Sequence, residues 1–302
     1  MFSKALGNTG VQIPEVGIGT WGYQAGPAPL QKGLDAGALF IDTAESYGTE
    51  EVVADAVAGR REHVFLATKV SPHNFRRTDL LKAAEASLQR LRTDHIDLYQ
   101  LHRPNDDVPL AETLGTMEEL VDAGKVRFIG VSNFSLTQLQ DAQRVTRRHP
   151  IASNQVRYSL IDRTIEDGLL SYCQANRVTI IAYSPLARGF RHIVDCDKRN
   201  VLGALAAQTG RTPVQIALNW CISQPGVVAI PKGNSEAHVL ENCGASGWRL
   251  RPEQIRELDQ TIVFRRRSGL ESFLRRHMPP GSKAVLQRLL RLAPRAFRRK
   301  LY

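Results

Sequence analysis

The sequence predicts an α/β fold in which parallel strands alternate with helices. Apolar runs of strand length recur along the chain from Glu15 onward, and segments with helical spacing separate them. Three of these runs end in polar residues, although a buried parallel strand is otherwise a continuous apolar run. The 302 residues suffice for one eight-stranded barrel. No GxGxxG follows the first run, which argues against an open dinucleotide-binding sheet.

Eight runs are predicted as strands, and a short hairpin around Gly7–Gly10 is expected before them. Strand count alone does not separate a closed barrel from an open doubly wound sheet. The predicted strands are Val16–Gly19, Leu39–Asp42, Val64–Lys69, Ile96–Leu101, Val126–Ser132, Ile151–Val156, Thr179–Tyr183 and Val227–Ile230.

The segments between the strands predict helices with identifiable ends. Thr78–Leu91 repeats leucine and alanine at helical spacing, with Thr78 as the expected N-cap. Leu110–Ala123 ends before a glycine, which suits a C-cap. Val214–Ser223 follows a Thr-Pro pair, and proline is favoured at the first helical position. These helices would connect successive parallel strands.

Four polar residues lie at or just beyond the ends of three predicted strands. The segment FIDTAESYG contains Asp42 and Tyr47, FLATKV contains Lys69, and IDLYQLHRP contains His102. In a (β/α)8 barrel such strand ends point into the mouth, where active sites lie. In this order and these contexts the four residues resemble the Asp, Tyr, Lys, His tetrad of the aldo-keto reductase family. The resemblance covers about Lys4–Gln260 and implies a (β/α)8 TIM barrel with an N-terminal hairpin.

The resemblance implies reduction of a carbonyl group by hydride transfer, with Tyr47 protonating the alkoxide as it forms. A free phenol has a pKa of about 10, and we expect a neighbouring Lys69 to lower the pKa of Tyr47. Asp42 would pair with Lys69, because a buried unpaired ammonium is costly. His102 would orient the substrate oxygen. The alternative is that Asp42 and Lys69 form a structural ion pair and that Tyr47 has no catalytic role. This alternative explains any one of the residues taken alone better than it explains all four in this order.

Further segments resemble the positions at which the family binds a nicotinamide cofactor. Ser132, Asn133 and Gln155 would hydrogen-bond the carboxamide, although Ser132 and Asn133 could instead cap the next helix. Tyr183 would stack on the nicotinamide ring, unless it is a core tyrosine. The expected contacts near the pyrophosphate are Gly19, Thr20, Ser184 and Leu186.

The segment AIPKGNSEAHVLEN resembles the family's adenosine-phosphate site. Lys232 would face the 2′-phosphate of NADPH before a helix N-terminus, a location that favours phosphate. Glu241 and Asn242 would reach the adenine. The sequence departs from the commonest pattern at Gly233, which replaces a serine, and at His238, which replaces an arginine. A mostly neutral imidazole binds phosphate less firmly than a guanidinium, so we expect NADPH with weakened discrimination against NADH.

Composition and charge bound the other possibilities. Four cysteines lie far apart without a CxxC pair, so we expect no disulfide framework, no metal site and a reduced, cytoplasmic setting. The N-terminus lacks an apolar signal core, and no apolar run reaches the length of a membrane span. The net charge of +10 is uneven, because Phe264–Tyr302 holds twelve Lys or Arg and one acid. The rest of the chain is therefore almost neutral, so the overall positive charge does not indicate that the barrel region binds nucleic acid.

We divide the chain into a barrel over residues 1–262 and a basic amphipathic C-terminal helical extension over residues 263–302. Two helical stretches are expected in the extension, on either side of Pro279-Pro280-Gly281. Such a segment can dock on the barrel, contact an anionic membrane surface or partner, or remain disordered. Specific nucleic-acid binding is not expected, because aromatic residues for base stacking are nearly absent.

The sequence therefore predicts a cytoplasmic, or peripherally membrane-bound, NADPH-dependent enzyme that reduces a small-molecule aldehyde or ketone. The alternative from another class is a nicotinamide-binding regulatory or sensor subunit with a membrane- or partner-binding basic tail. The tetrad alone does not exclude that alternative. The sequence predicts neither the physiological substrate nor the oligomeric state.

Overall fold

The computed structural model describes residues 1–264. The strands are β1 (Ser3–Ala5), β2 (Gln12–Pro14), β3 (Ile18–Gly19), β4 (Phe40–Asp42), β5 (Phe65–Val70), β6 (Ile96–Leu101), β7 (Val126–Ser132), β8 (Ile151–Arg157), β9 (Thr179–Tyr183) and β10 (Val227–Ile230). The α-helices are α1 (Pro27–Asp35), α2 (Glu50–Val57), α3 (Arg77–Leu91), α4 (Leu110–Asp122), α5 (Leu136–Val145), α6 (Leu169–Ala175), α7 (Arg191–Val194), α8 (Val201–Thr209), α9 (Pro213–Ser223), α10 (Glu236–Cys243) and α11 (Pro252–Thr261).

Strands β3 to β10 form one parallel sheet in which each strand pairs with the next along the chain. The two edges of this sheet meet where Val16, just before β3, bridges Ala229 of β10. Here the backbone N–H of Gly17 donates to the Ala229 carbonyl at 2.8 Å, and Ala229 N–H donates to the Glu15 carbonyl at 2.9 Å. The sheet therefore closes, which confirms the (β/α)8 barrel and excludes the open doubly wound sheet.

The predicted strands agree with the observed ones to within two residues at each end. The first strand is shorter than predicted, because Val16 makes an isolated bridge rather than a ladder. Helices cover the outside of the barrel and side chains fill its interior, so every residue of β5 and β6 is buried. Lys69 is among those residues, and its ammonium therefore needs a partner inside the protein.

The helix boundaries are confirmed, but one predicted cap is wrong. Helix α9 begins at Pro213, and the hydroxyl of Thr212 accepts a hydrogen bond from Gln215 N–H in a capping box. Helix α3 begins at Arg77, one residue before the predicted N-cap Thr78. The N-cap position is held by Arg76, in an extended conformation and without a side-chain cap. No side-chain hydroxyl therefore caps the N-terminus of α3.

The β1–β2 hairpin closes the amino-terminal end of the barrel, as predicted. The two strands are antiparallel, with Lys4 opposite Ile13. The Lys4 ammonium donates to the carbonyl of Val227 at 2.7 Å, and Gly7 N–H donates to the Thr179 hydroxyl at 2.7 Å. Val227 and Thr179 are the first residues of β10 and β9. With its floor covered in this way, the barrel offers its carboxyl-terminal mouth to ligands.

Three sequence predictions concern features beyond the barrel. Within residues 1–264, no helix is long and apolar enough to cross a membrane. In the same range, no group of three or more His, Cys, Asp or Glu side chains is placed to hold a metal ion. The helices predicted around Pro279-Pro280-Gly281 lie outside the described residues. The division of the chain at residue 262 therefore stays a prediction.

Candidate active site

Three adjacent strands bring the predicted aspartate, lysine and histidine together at the barrel mouth. Strand β4 ends at Asp42, β5 carries Lys69 as its penultimate residue, and His102 directly follows β6. The backbone N–H of His102 donates to the Val70 carbonyl at 3.1 Å, which continues the pairing of β5 with β6. Parallel register thus places side chains that are 27 and 33 residues apart in sequence at one end of the barrel.

Tyr47 lies in the loop after β4, on a short 3-10 turn over Glu45–Tyr47. The carboxylate of Glu45 accepts hydrogen bonds from Ser71 N–H at 2.6 Å and from the Asn74 amide at 3.1 Å. Ser71 follows β5, so Glu45 fastens the turn that carries the tyrosine to the strand that carries Lys69. The sequence reading did not identify Glu45 in this role.

The four tetrad residues form a continuous cluster. Lys69 Nζ donates to Asp42 Oδ2 at 2.6 Å and to the Thr43 carbonyl at 2.7 Å. The same nitrogen lies 4.8 Å from the centroid of the Tyr47 ring. Tyr47 Oη is 3.4 Å from His102 Nε2, and the two rings meet edge to face. The structure therefore brings together all four side chains that the sequence singled out.

The pKa of Tyr47 differs from the sequence-based expectation. Burial raises the pKa of Tyr47 above its ordinary value, the negative charge of Asp42 acts in the same direction, and the charge of Arg188 opposes them. The pKa is thus raised rather than lowered, contrary to the expectation, because burial outweighs the opposing positive charge. Tyr47 is thus fully protonated at neutral pH, as a proton donor requires.

Burial at the mouth also keeps His102 neutral, and nearby positive charges act in the same direction. Burial lowers the pKa of His102 to about 4, and the positive charges of Lys69 and Arg103 add to the shift. The imidazole is therefore neutral at pH 7. Burial likewise lowers the pKa of Lys69, and the Asp42 carboxylate opposes that shift. Asp42 and Lys69 thus form a buried ion pair beside a neutral histidine and a neutral phenol.

Two buried amides hold the second oxygen of Asp42. Gln155 Nε2 donates to Asp42 Oδ1 at 2.6 Å, and Gln100 Nε2 donates to it at 3.1 Å. Gln155 was expected to bind a carboxamide, whereas Gln100 was missed. The signal for Gln100 was present, because it is a polar residue inside the apolar run of β6 and is fully buried. Such a residue needs hydrogen-bond partners within the barrel.

The predicted carboxamide contacts Ser132 and Asn133 lie at the end of β7. The Ser132 hydroxyl donates to the Gln155 carbonyl at 2.9 Å, and the Asn133 amide donates to the His102 carbonyl at 3.1 Å. Tyr183 Oη donates to Asn133 Oδ1 at 2.9 Å. The alternative that Ser132 and Asn133 cap the next helix does not hold, because Ser135 caps α5 through a capping box.

Residues predicted near the pyrophosphate fall into two groups. Gly19 and Thr20 are buried beneath the mouth, and the Thr20 hydroxyl donates to the Asp42 carbonyl at 3.1 Å. Ser184 and Leu186 are partly exposed in the loop after β9. Ser184 has a left-handed backbone conformation with φ 49°. Only the second group presents side chains at the surface of the mouth.

The predicted phosphate-binding segment follows β10 and leads into α10. Lys232 is exposed, and its ammonium donates at 3.0 Å to the carbonyl of Gly22, in the loop after the neighbouring strand β3. Gly233 is required by close packing, because a Cβ there would lie 2.7 Å from Val239 Cγ2. His238 is exposed in the first turn of α10, and its backbone N–H is capped by the Ser235 hydroxyl at 3.3 Å.

The two residues predicted to reach an adenine lie at the far end of α10. Glu241 is partly exposed, and Asn242 is buried with its amide donating to the Lys232 carbonyl at 3.4 Å. Lys232, His238, Glu241 and Asn242 therefore lie together in the segment that follows β10.

Fold and site together define a (β/α)8 barrel with an Asp–Lys–Tyr–His cluster at its mouth. The profile of the Aldo/keto reductase family matches residues 15–263. The chain belongs to the aldo/keto reductase family.

Relatives of the chain agree with this assignment. The chain is 39% identical to methylglyoxal reductase YeaE of Escherichia coli strain K12 over 260 residues, which cover 83% of this chain and 91% of the relative. It is 31% identical to aldo-keto reductase YhdN of Bacillus subtilis strain 168, over 87% of this chain and 94% of the relative.

Solved structures show the same barrel. The thermostable aldo-keto reductase Tm1743, crystallised with the inhibitor epalrestat, matches with a TM-score of 0.81 and 41% identity, covering 86% of this chain and all of that chain. An aldo-keto reductase from Klebsiella pneumoniae crystallised with NADPH matches with a TM-score of 0.81 and 38% identity, over 88% of this chain and 98% of that chain.

Proposed function

We propose that the chain reduces aldehydes or ketones to alcohols with NADPH, and that Tyr47 is the proton donor. The observation that supports this most directly is the contact between Tyr47 Oη and His102 Nε2, 3.4 Å apart, above the buried Lys69–Asp42 pair. A carbonyl oxygen between these two groups would accept hydrogen bonds from both. When bound, NADPH supplies the hydride that adds to the carbonyl carbon.

The raised pKa of Tyr47 is compatible with this role. Hydride addition leaves an alkoxide, which is a much stronger base than a phenolate, so Tyr47 gives up its proton as the alkoxide forms. Lys69, 4.8 Å from the centre of the ring, then stabilises the negative phenolate. Asp42 holds Lys69 in place and keeps its charge from being unpaired. General acid assistance of this kind contributes roughly 10²–10⁴-fold to the rate.

His102 serves as a neutral hydrogen-bond donor in this proposal. Ser46 Oγ lies 3.5 Å from His102 Nδ1, and the Ser46 hydroxyl can donate to that nitrogen. The proton of the neutral imidazole then resides on Nε2, which faces Tyr47. His102 therefore orients the carbonyl oxygen without competing with Tyr47 for the role of acid.

The chain carries groups of the right chemistry to hold NADPH. Gln155 has its amide nitrogen engaged with Asp42, which leaves Oε1 to accept from a carboxamide NH2. Ser132 and Asn133 lie beside it on the next strand, and the Tyr183 ring is held by Asn133. Lys232 provides the positive charge for a 2′-phosphate. The K. pneumoniae relative that was crystallised with NADPH supports the same cofactor.

The further members of the proposed cofactor set are the pyrophosphate contacts Gly19, Thr20, Ser184 and Leu186 and the adenosine-side contacts His238, Glu241 and Asn242.

Methylglyoxal is the first substrate to test, because the E. coli relative is named a methylglyoxal reductase. Residues 263–302 are proposed as a basic amphipathic extension that contacts the barrel or an anionic surface. A cytoplasmic location is also part of this proposal, and the four unpaired cysteines are compatible with it.

The test is reductase turnover, followed by NADPH absorbance, in the wild type and in Tyr47→Phe. We expect the variant to lose at least about 10² in turnover while its NADPH affinity, measured by fluorescence titration, stays near the wild-type value. The matched control is Tyr172→Phe, because Tyr172 donates to Gln143 on the outside of the barrel. Wild-type turnover in Tyr47→Phe overturns the assignment of the acid. NADPH binding without turnover of any carbonyl compound favours the regulatory alternative.

A further inference from the structure

The loop after β9 has an unusual backbone at the edge of the mouth. Ser184, Ala187 and Arg188 all adopt left-handed conformations, with φ of 49°, 56° and 64°. Such conformations are unfavourable for residues other than glycine and concentrate at functional sites. Two tight turns hold the loop, with Ala187 N–H donating to the Ser184 carbonyl at 2.8 Å and Gly189 N–H to the Leu186 carbonyl at 2.9 Å. The position of Arg188 is thus fixed by its backbone.

A second contact fixes the Arg188 side chain. Its guanidinium carbon lies 4.8 Å from the centroid of the Trp21 ring, which belongs to the loop after β3, two strands away around the barrel. Trp21 is 54% exposed, an unusual exposure for so large an apolar residue. Stacking uses the face of a guanidinium and leaves the N–H groups at its edge available to an anion. Arg188 and Trp21 together therefore present a preorganised donor group to the mouth.

The charge of this donor group is uncompensated. Among residues 1–264, neither Arg188 nor Arg103 forms an ion pair or hydrogen bond with a carboxylate. The carboxylates of the mouth are engaged elsewhere, Asp42 with Lys69 and Glu45 with the loop after β5. Both arginines are exposed, and Arg103 directly follows His102. Their positive charges have no counterion in this part of the protein.

Each arginine acts on one of the two groups that would contact a carbonyl oxygen. Burial raises the pKa of Tyr47, and the Arg188 charge opposes this rise. Burial lowers the pKa of His102, and the Lys69 and Arg103 charges add to the fall. Geometry places both arginines beside the tetrad: Arg103 directly follows His102, and the Trp21 that Arg188 contacts follows Thr20, whose hydroxyl donates to the Asp42 carbonyl at 3.1 Å.

We infer that Arg188, stacked on Trp21 and assisted by Arg103, is a binding position for the carboxylate of an anionic carbonyl substrate. This inference rests on the proposed reductase function and adds a substrate class to it. An anion here has two sources, the substrate and the pyrophosphate of the cofactor. We commit to the substrate, because Arg103 directly follows His102 and Arg188 contacts Trp21, so the two charges come from two different loops next to the tetrad.

The test compares two aldehydes that share one aromatic frame, 4-formylbenzoate and its methyl ester, which has no charge and one additional methyl group. The measured quantity is the ratio of kcat/KM for the acid to kcat/KM for the ester. In Arg188→Gln we expect this ratio to fall about tenfold, because a charge-assisted hydrogen bond is lost at a partly exposed site. Arg103→Gln should lower it by a smaller factor. High salt should reduce the wild-type ratio by screening.

The matched control is Arg177→Gln. Arg177 is also an exposed arginine with a left-handed backbone, φ 50°, but it precedes β9 at the floor of the barrel and donates to Asn8 Oδ1 at 3.0 Å. Arg177→Gln removes one positive charge at the opposite end of the same strand, so the ratio of kcat/KM for the acid to kcat/KM for the ester should stay at the wild-type value. An equal fall in Arg177→Gln would mean that net charge alone sets the preference, and would overturn the inference.

Titration of each variant with NADPH separates the two sources of anion. A weakened NADPH affinity in Arg188→Gln, with an unchanged acid-to-ester ratio, assigns Arg188 to the cofactor and overturns the inference. A lowered ratio with NADPH affinity near the wild-type value supports it. Reduction of neither aldehyde by the wild-type protein would instead count against the proposed reductase function itself.

Discussion

The amide nitrogen of Gln155 lies 2.6 Å from Oδ1 of Asp42, inside the barrel. The same nitrogen is 3.3 Å from the Gln100 carbonyl oxygen, and Gln100 in turn donates to Asp42 at 3.1 Å. Asp42 therefore joins two sets of residues, because its other oxygen binds Lys69 at 2.6 Å. The group proposed to orient the nicotinamide and the group proposed to support the acid share one hydrogen-bond network.

The first prediction concerns Gln100, which acts through its neighbours rather than on the substrate. Gln100→Leu keeps the approximate volume but leaves Asp42 and Gln155 each short of one partner, so we expect kcat/KM to fall about tenfold. Because Gln155 loses its orientation, NADPH affinity should fall as well. Stopped-flow turnover and fluorescence titration measure the two effects.

A backbone change offers an independent check on Gln100. A Cβ at Gly130 would lie 2.8 Å from Gln100 Cγ and 2.7 Å from Ser153 Oγ, so Gly130→Ala should displace the Gln100 side chain. We expect the same loss of kcat/KM and NADPH affinity as in Gln100→Leu. A variant with intact kinetics would show that the network does not position the site.

The second prediction concerns the buried Asp42–Lys69 pair. Asp42→Asn leaves the fully buried Lys69 ammonium without its counterion, and we expect it to lower the free energy of unfolding by about 3 kcal/mol. The double variant Asp42→Leu with Lys69→Met removes both charges and should recover most of that loss. Urea unfolding measures all three proteins.

An exposed ion pair with the same nitrogen–oxygen distance is the control for the Asp42–Lys69 pair. Arg60 and Asp35 also lie 2.6 Å apart, but both are more than a third exposed. Asp35→Asn should change the free energy of unfolding by less than about 1 kcal/mol. Equal effects at Asp35 and Asp42 would contradict the role given to burial.

The third prediction concerns pH. Burial lowers the pKa of His102 to about 4 in the folded protein, against about 6.5 when unfolded. The unfolded chain therefore binds more protons between these values, so the contribution of His102 to stability is complete above about pH 6.5 and is lost as the pH falls to about 4. Between pH 7 and pH 4.5 the free energy of unfolding should fall by on the order of 2 kcal/mol more in the wild type than in His102→Asn, after allowance for the partial exposure of His102. Parallel losses in both proteins would contradict the prediction.

The fourth prediction concerns cofactor preference. We expect NADPH to bind more tightly than NADH, with Lys232→Ala reducing the preference about tenfold because a charged contact to phosphate is lost. His238→Arg should increase it, since a permanent charge replaces a mostly neutral ring. Gly233→Ser should weaken NADPH binding, because its Cβ would clash with Val239. Fluorescence titration with both cofactors measures these effects, and equal wild-type affinities unaffected by Lys232→Ala would refute the phosphate assignment.

The sequence predicted the strands well because each is an apolar run bounded by a polar turn. Barrel closure rests on the bridge between Val16 and Ala229, which are over 200 residues apart and carry no local signal. Local patterns likewise suggested Thr78 as a cap, although the chain enters α3 through Arg76. The raised pKa of Tyr47 depends on burial in the folded mouth, and the contact of Arg188 with Trp21 depends on two distant loops. These features arise from tertiary structure rather than from local sequence.

The last prediction concerns the basic extension. The chain approaches it along the outside of the barrel, where Val263 N–H donates to the Cys196 carbonyl at 3.3 Å and the Arg163 guanidinium lies 4.3 Å from the Phe264 ring. Cys196 belongs to the long connection after β9, which also carries Arg188. We therefore expect the extension to dock near the mouth. Deletion from Pro279 onward should leave a folded barrel, because α11 ends at Thr261, and should raise the KM for aldehydes several-fold.

Co-sedimentation with vesicles separates docking from membrane contact. Full-length protein should bind anionic vesicles no better than the deletion variant if the extension is docked, and neutral vesicles provide the baseline. Binding to anionic vesicles at low salt that disappears at high salt would instead show that the extension serves a membrane surface, because the charges of twelve Lys or Arg residues are screened. Unchanged KM after deletion would refute docking over the mouth.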